Sequence, residues 1–252
     1  MREGTPVIAP LDPAKPKDPV GALLDRAIQA FGGANQFTRW RCGHIVYTAR
    51  SIPSPVGDRE ALVEEFFDYP GRFKRIAAIN AAALNAGRQS VWCYNGDKAW
   101  ERSADRPAKA LPANAKVTTR RAHQFLDLFN LPVLKTEASN YTFAGAGSLD
   151  GRAVWGLKSK KAEGQTDSPQ LREAFFDQKS FLLLRTQSHA TNKLLGLLPQ
   201  EVESVTSYND SQDIGGGMVP MHIVGTANGR EITNVWILTL EFNEHIQTST
   251  FE

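Results

Sequence analysis

No stretch of this chain strings together the ~18 apolar residues that a membrane-spanning helix needs, so no such helix is expected. Cysteine is scarce. Cys42 and Cys93 are the only two, too few for a four-ligand zinc site and without CxxC spacing, so no metal is expected. A surplus of one charge is also missing. The 29 basic residues face 27 acidic ones, a formal net charge of +2, which lacks the basic excess of a nucleic-acid binder. The nearest thing to a basic run, Arg120-Arg121, reads as the solvated side of a helix. Met1 to Lys17 holds no apolar core of the kind an export signal carries. Two expectations fit that absence: a cytoplasmic protein, or a periplasmic or cell-envelope protein whose signal peptide has been removed.

The usual catalytic signatures are absent too. There is no G-x-S-x-G, no HExxH, no Walker A sequence and no G-x-G-x-x-G opening a helix. His44, His123, His189, His222 and His245 are scattered, with no i, i+4 pair. Glu64-Glu65 is the one adjacent carboxylate pair within an expected strand, where the side chains point to opposite faces and cannot act as a dyad. Gly145-Ala146-Gly147 and Gly215-Gly216-Gly217 read as turns between strands. The expectation is a protein with no catalytic residues, no cofactor and no enzymatic activity.

What the chain does contain is a Pro-rich start and a long series of strands. Pro6, Pro10, Pro13, Pro16 and Pro19 fall in the first 19 residues, an extended tether, and 20–252 reads as one domain. With 41% apolar residues that domain can bury a substantial core. Asp18 caps a helix begun by Pro19; Val20, Leu23, Leu24, Ala27, Ile28 and Phe31 give it one apolar face, and Gly32-Gly33 ends it. From Trp40 the period changes to short β-rich runs at about 40–51, 59–69, 72–79, 88–94, 98–103, 139–145, 152–160, 171–177, 180–189, 201–208, 218–226 and 231–242. Tight turns such as Asp150-Gly151 and Asn228-Gly229 join them into an antiparallel meander. A second helix is expected near 116–131, stopped by Pro132. The fold class is thus mainly β with two or three helices. So large a sheet curls, splits into layers or closes.

Alternation predicts one greasy face. Ile232, Trp236, Leu238, Leu240 and Phe242 are expected to share it, and pairs such as Trp92 with Tyr94 and Trp155 with Leu157 repeat the pattern. Candidate lining residues of an apolar cavity are Trp92, Trp100, Trp155, Phe175, Leu183, Met221, Trp236, Leu238 and Phe242. These residues equally suit an ordinary core beneath the two helices. Leu194, Leu195, Leu197 and Leu198 form a leucine-rich connection between strands, read as a lid on the cavity, a contact for another apolar surface, or a short buried turn. An alternative function follows: an interaction or scaffold module that docks a protein through the sheet face or this loop.

The order of motifs resembles the LolA-like outer-membrane lipoprotein-sorting proteins. Phe67 to Arg75 is similar to that family's strand, Pro-centred turn and Arg-Phe pair; Trp92 to Trp100 is similar to its Asn-Gly hairpin; Phe175 to Arg185 is similar to its Phe-Asp-turn-Leu-Leu-Arg hairpin. Tyr208, Val219 to Ile223 and Phe251 match its C-terminal strands, so the resemblance runs from about Leu23 to Phe251. It implies a curved antiparallel sheet forming a half-open β-barrel covered by helices. It also implies binding of lipid or acylated protein in the bacterial cell envelope, with an envelope protein as a further partner. Where the family has an arginine that latches the helical lid, this chain has Tyr69, one hydrogen-bond donor in place of five.

In a meander the strands of Cys42 and Cys93 stand three spacings apart, ~14 Å, too far for a disulfide, so two free thiols are expected.

Overall fold

The computed structural model describes residues 18–51, 59–68, 71–96, 98–103, 106–111, 131–160, 170–192, 200–242 and 245–252. The expected tether, Tyr69, the Leu194–Leu198 loop and nearly all of the expected helix at 116–131 lie outside them.

The strands are β1 (Cys42–Ser51), β2 (Arg59–Asp68), β3 (Arg72–Ala78), β4 (Ser90–Asn95), β5 (Ala99–Arg102), β6 (Lys109–Ala110), β7 (Tyr141–Leu149), β8 (Arg152–Ser159), β9 (Gln170–Asp177), β10 (Leu183–Asn192), β11 (Gln200–Asp213), β12 (Met218–Ala227) and β13 (Arg230–Phe242). They form one curved, unclosed antiparallel sheet in the order β6-β5-β4-β3-β2-β1-β13-β12-β11-β10-β9-β8-β7. Each half is a meander, and the halves are joined by pairing of the first strand with the last. Residues 111–140 therefore connect the two edges of the sheet.

Local chemistry explains the hairpins. Asp150-Gly151 and Asn228-Gly229 have φ of 50° and 81°, and of 49° and 75°, the left-handed pairs of two-residue turns that match strand twist. The Asp177 carboxylate accepts hydrogen bonds from the Lys179 and Ser180 backbone N–H groups at 2.9 and 2.8 Å, which closes the β9–β10 turn. Gly145 and Gly147 are not a turn: both lie within β7, and the β7–β8 register shifts between Phe143 and Gly145, where φ is 91°.

The described helices are α1 (Pro19–Ala30), α2 (Ala34–Arg39), α3 (Ala81–Asn85) and α4 (Leu131–Thr136). In α1 the Asp18 side chain accepts from the Gly21 N–H at 2.9 Å, and Gly33 N–H closes the far end on Ile28 C=O at 2.9 Å. The expected helix that Pro132 would stop lies outside the described residues but for Leu131, and Pro132 itself is helical. It occupies the second position of α4, where its missing N–H has no acceptor to lose.

The buried face of α1 (Val20, Leu23, Leu24, Ala27, Ile28) belongs to the same apolar cluster as Ile45, Val63, Phe176, Ile223 and Val235 of the sheet. The sheet face carrying those residues is called inner here. The end of α1 is fixed to the β11–β12 turn: a Cβ at Gly32 would lie 2.5 Å from Gly216 O, and one at Gly217 would lie 2.3 Å from the Trp40 ring. Gln36 Nε2 donates to Gly215 O at 2.5 Å across the same junction.

Candidate functional site

Cross-strand register shows what the inner face presents. One row runs Phe242, Gly43, Phe67, Phe73, Tyr94 and Ala99 across β13, β1, β2, β3, β4 and β5. Trp40 stacks on Phe242 at 5.1 Å, and Phe67 meets Phe242 edge-on at 6.4 Å, so this row ends in an aromatic cluster under α2. Gly43 has to be glycine, because a Cβ there would fall 2.7 Å from the Phe67 ring. On the other half of the sheet, Trp155, Leu157, Ala174, Phe176, Leu183, Val219 and Ile223 continue the apolar surface.

The neighbouring row is different. It runs Leu240, Ile45, Glu65, Arg75, Trp92 and Glu101 over the same strands, and so brings three charges onto the inner face. Glu65 is 2% exposed. Its Oε1 accepts the Tyr47 hydroxyl at 2.6 Å and lies 3.2 Å from Arg75 Nε, while the guanidinium sits 6.0 Å above the Tyr47 ring. That 3.2 Å contact is an ion pair without hydrogen-bond geometry, and Nε–H is buried with no hydrogen-bond acceptor. Burial, then the Glu65 charge, hold the Tyr47 hydroxyl well above its ordinary pKa, with Arg75 partly opposing them. Tyr47 therefore stays a neutral donor. A buried carboxylate of this kind persists only because it is paired.

Sequence reasoning separated Glu64 and Glu65 correctly, since Glu64 lies on the outer face, 2.9 Å from His44. It missed that Glu65 is buried in a network. The signal was present: Glu65 falls between Val63 and Phe67, and Arg75 between Phe73 and Ala77, both at inward-facing positions of one hairpin.

Of the nine cavity candidates, Trp92, Trp155, Leu183, Met221 and Phe242 lie on the inner face. Trp100, Phe175, Trp236 and Leu238 lie on the outer one. Trp100 pairs with Cys93, and Phe175 pairs with Arg185 beside the inward-facing Phe176. The shared face expected for Trp236, Leu238, Leu240 and Phe242 is broken by a bulge. Val46 pairs with Thr239 but Tyr47 with Ile237, so Leu238 is an extra residue and the alternation changes phase there. Trp236 and Leu238 end up 48% and 57% exposed, with Trp236 stacked on His222 at 3.7 Å.

The outer face also carries a second small core of Cys42, Cys93, Ile246 and Phe251, with Phe66 and Trp100 packed against it. The C-terminal turn Thr248–Phe251 covers it: Arg72 lies 5.0 Å over the Phe251 ring, Lys74 Nζ donates to Thr250 O at 2.6 Å, and Cys93 Sγ contacts Phe251 O at 3.0 Å. Both cysteines are free thiols, as the strand order requires. Burial raises the Cys93 pKa to about 11, with Lys74 partly opposing it. Beside this core an open cleft of ≈ 580 Å³ lies between Trp100, Ala110, Leu111, Lys98, Arg102 and Glu252. Among the described residues no helix is long and apolar enough to cross a membrane, and no three His, Cys, Asp or Glu residues are placed to hold a metal ion.

No family model and no curated protein matches the sequence. Solved structures do. A LolA superfamily protein from Nitrosomonas europaea superposes with a TM-score of 0.53 at 10% identity, covering 92% of this chain and 97% of its own. A DUF1329 family protein from Desulfovibrio piger gives 0.55 at 14% identity, over 94% and 98%. A domain described as that of an outer membrane lipoprotein-sorting protein, from Vibrio parahaemolyticus, gives 0.52 at 11%, over 90% and 97%. The chain has the LolA-like fold.

Proposed function

We propose that the protein holds acyl chains, of lipids or of acylated proteins, against the inner face of its sheet in the bacterial cell envelope, and performs no chemistry of its own. In this reading the sheet is a half-open barrel, α1 lies over its inner face, and the ligand enters beside it. The observation that carries the reading is an apolar inner face that runs through both halves of an unclosed sheet, buried at Phe73, Ile45, Ile223 and Trp155 but only half-buried at Trp92, Tyr94, Met221, Leu240 and Phe242, where a chain can lie. The likeness to a lipoprotein-sorting domain agrees with it at the level of the fold. Burial alone supplies the binding energy. At ~0.8 kcal/mol per CH₂, a chain of about 14 carbons gains ~11 kcal/mol before ordering costs. The inner-face candidates Trp92, Trp155, Leu183, Met221 and Phe242 are the contacts this reading assigns to the chain.

Native mass spectrometry of the protein purified from a bacterial host tests the proposal. The expected spectrum contains the bare chain and adducts at the masses of acylated lipids, released on mild activation. A spectrum of bare protein that also takes up no added lipid would overturn it.

A further inference from the structure

The Glu65–Arg75–Tyr47 network is an unusual object for an apolar binding face. Two hydrophobic residues in its place would pack without the desolvation cost of a buried ion pair. Arg75 is also not used up by it. A guanidinium has five N–H donors in a planar fork; the contacts here are one ion pair through Nε, a hydrogen bond to Tyr47 and the approach to its ring, and the side chain remains 27% exposed between Glu65 and Trp92. The pair is electrically neutral as it stands, and a second carboxylate, Glu101, is the next neighbour after Trp92 in the same row. An anionic headgroup arriving there would face two carboxylates and one guanidinium at low dielectric. A neutral carbonyl oxygen would accept the Arg75 hydrogen bond without adding charge.

We infer that Arg75, held by Glu65 and Tyr47, is a polar anchor that receives the ester or amide carbonyl at the head of an acyl chain, so the ligand is an acyl ester or amide and not a free fatty acid. The inference rests on the acyl-binding reading above and sharpens it. Trp92 flanks the anchor on the far side from Glu65, where the first methylenes of the chain would pack.

The test is displacement of the neutral fluorescent probe N-phenyl-1-naphthylamine at pH 8 by methyl dodecanoate, dodecanoate and dodecane. In the wild type the ester is expected to bind more tightly than the ionised acid. In Glu65→Gln/Arg75→Met, which leaves the net charge of the row unchanged, the ratio of ester to dodecane affinity should fall about tenfold, the scale of one hydrogen bond to a charged donor, with dodecane unchanged. In Glu65→Gln alone the guanidinium loses its paired carboxylate, an arriving anion faces one carboxylate fewer, and the order of ester and acid should reverse. If the double variant does not fold, this reversal decides the question. A wild type that prefers the acid, an ester advantage that survives in the double variant, or no reversal in Glu65→Gln would overturn the anchor while leaving acyl binding intact. Failure of all three ligands to displace the probe would remove the acyl-binding reading itself, and the anchor with it.

Discussion

Replacing Phe251 by alanine should release the C-terminal turn from the outer face of β3 and β4. The ring is fully buried among Cys42, Cys93 and Ile246 and lies under the Arg72 guanidinium. Truncating a buried Phe costs about 3–5 kcal/mol, and an exposed cation–π contact adds about 0.5–1. The segment 245–252 can let go instead of enclosing a cavity, and the backbone entropy recovered on undocking offsets part of that cost. The net loss is therefore expected near ~3 kcal/mol, expressed as undocking. Urea denaturation should show a midpoint lower by about 1 M, given slopes of about 1–3 kcal/mol/M. Cys93 supplies the second readout. With a thiol pKa of about 11 it is almost entirely protonated at pH 8, and the turn shields it. At tenfold per 1.4 kcal/mol, its reaction with an aromatic disulfide reagent should accelerate on the order of 100-fold in the variant. An unchanged midpoint together with a still unreactive thiol would refute the reasoning.

Gly217→Ala should lower the melting temperature, because the new methyl would fall 2.3 Å from the Trp40 ring and 2.5 Å from Phe31 O; a loss of about 1–3 kcal/mol is expected, and thermal unfolding followed by circular dichroism measures it. Deleting Leu238 leaves Ile237, Thr239 and Leu240 opposite Tyr47, Val46 and Ile45 in unbroken alternation, so Leu240 and Phe242 stay on the inner face and the variant should keep a cooperative urea transition, and Trp236→Ala, on the exposed side, should cost less than about 1 kcal/mol. Burial pushes the Asp177 carboxyl up, but the Ser180 and Lys179 N–H groups outweigh it and hold its pKa below the ordinary value. A depressed carboxyl stabilises the fold above its unfolded pKa of about 3.9 and loses that contribution as the pH falls through the folded value, so the stability gap between wild type and Asp177→Asn should narrow below about pH 4.

Much of this fold could be read from local chemistry. Asp18, Pro19 and Gly32-Gly33 bound α1 because caps and positive-φ positions are set within a few residues, and the turns at Asp150-Gly151 and Asn228-Gly229 follow the same logic. The pairing of β1 with β13 is non-local, and no periodicity in either segment encodes it. The short helices α2 and α3 and the two-residue strand β6 are too brief to leave a periodic signal. The candidate site was legible in part. Trp92, Trp155, Leu183, Met221 and Phe242 follow from alternation, but one extra residue at Leu238 reversed the phase for Trp236 and Leu238, and a bulge is invisible to a period-2 count. Glu65 and Arg75 were passed over because a charge at a strand position reads as solvated unless the apolar neighbours on the same face, Val63, Phe67 and Phe73, are weighed with it.

Photolabelling with a dodecyl ester that carries a diazirine in mid-chain, followed by peptide mapping, tests the central claim most directly. The account predicts labels on inner-face residues such as Trp92, Met221 and Leu240, competed away by unlabelled ester. Labels confined to Trp236, Leu238 or Trp100 on the outer face, or no competable label at all, would contradict it.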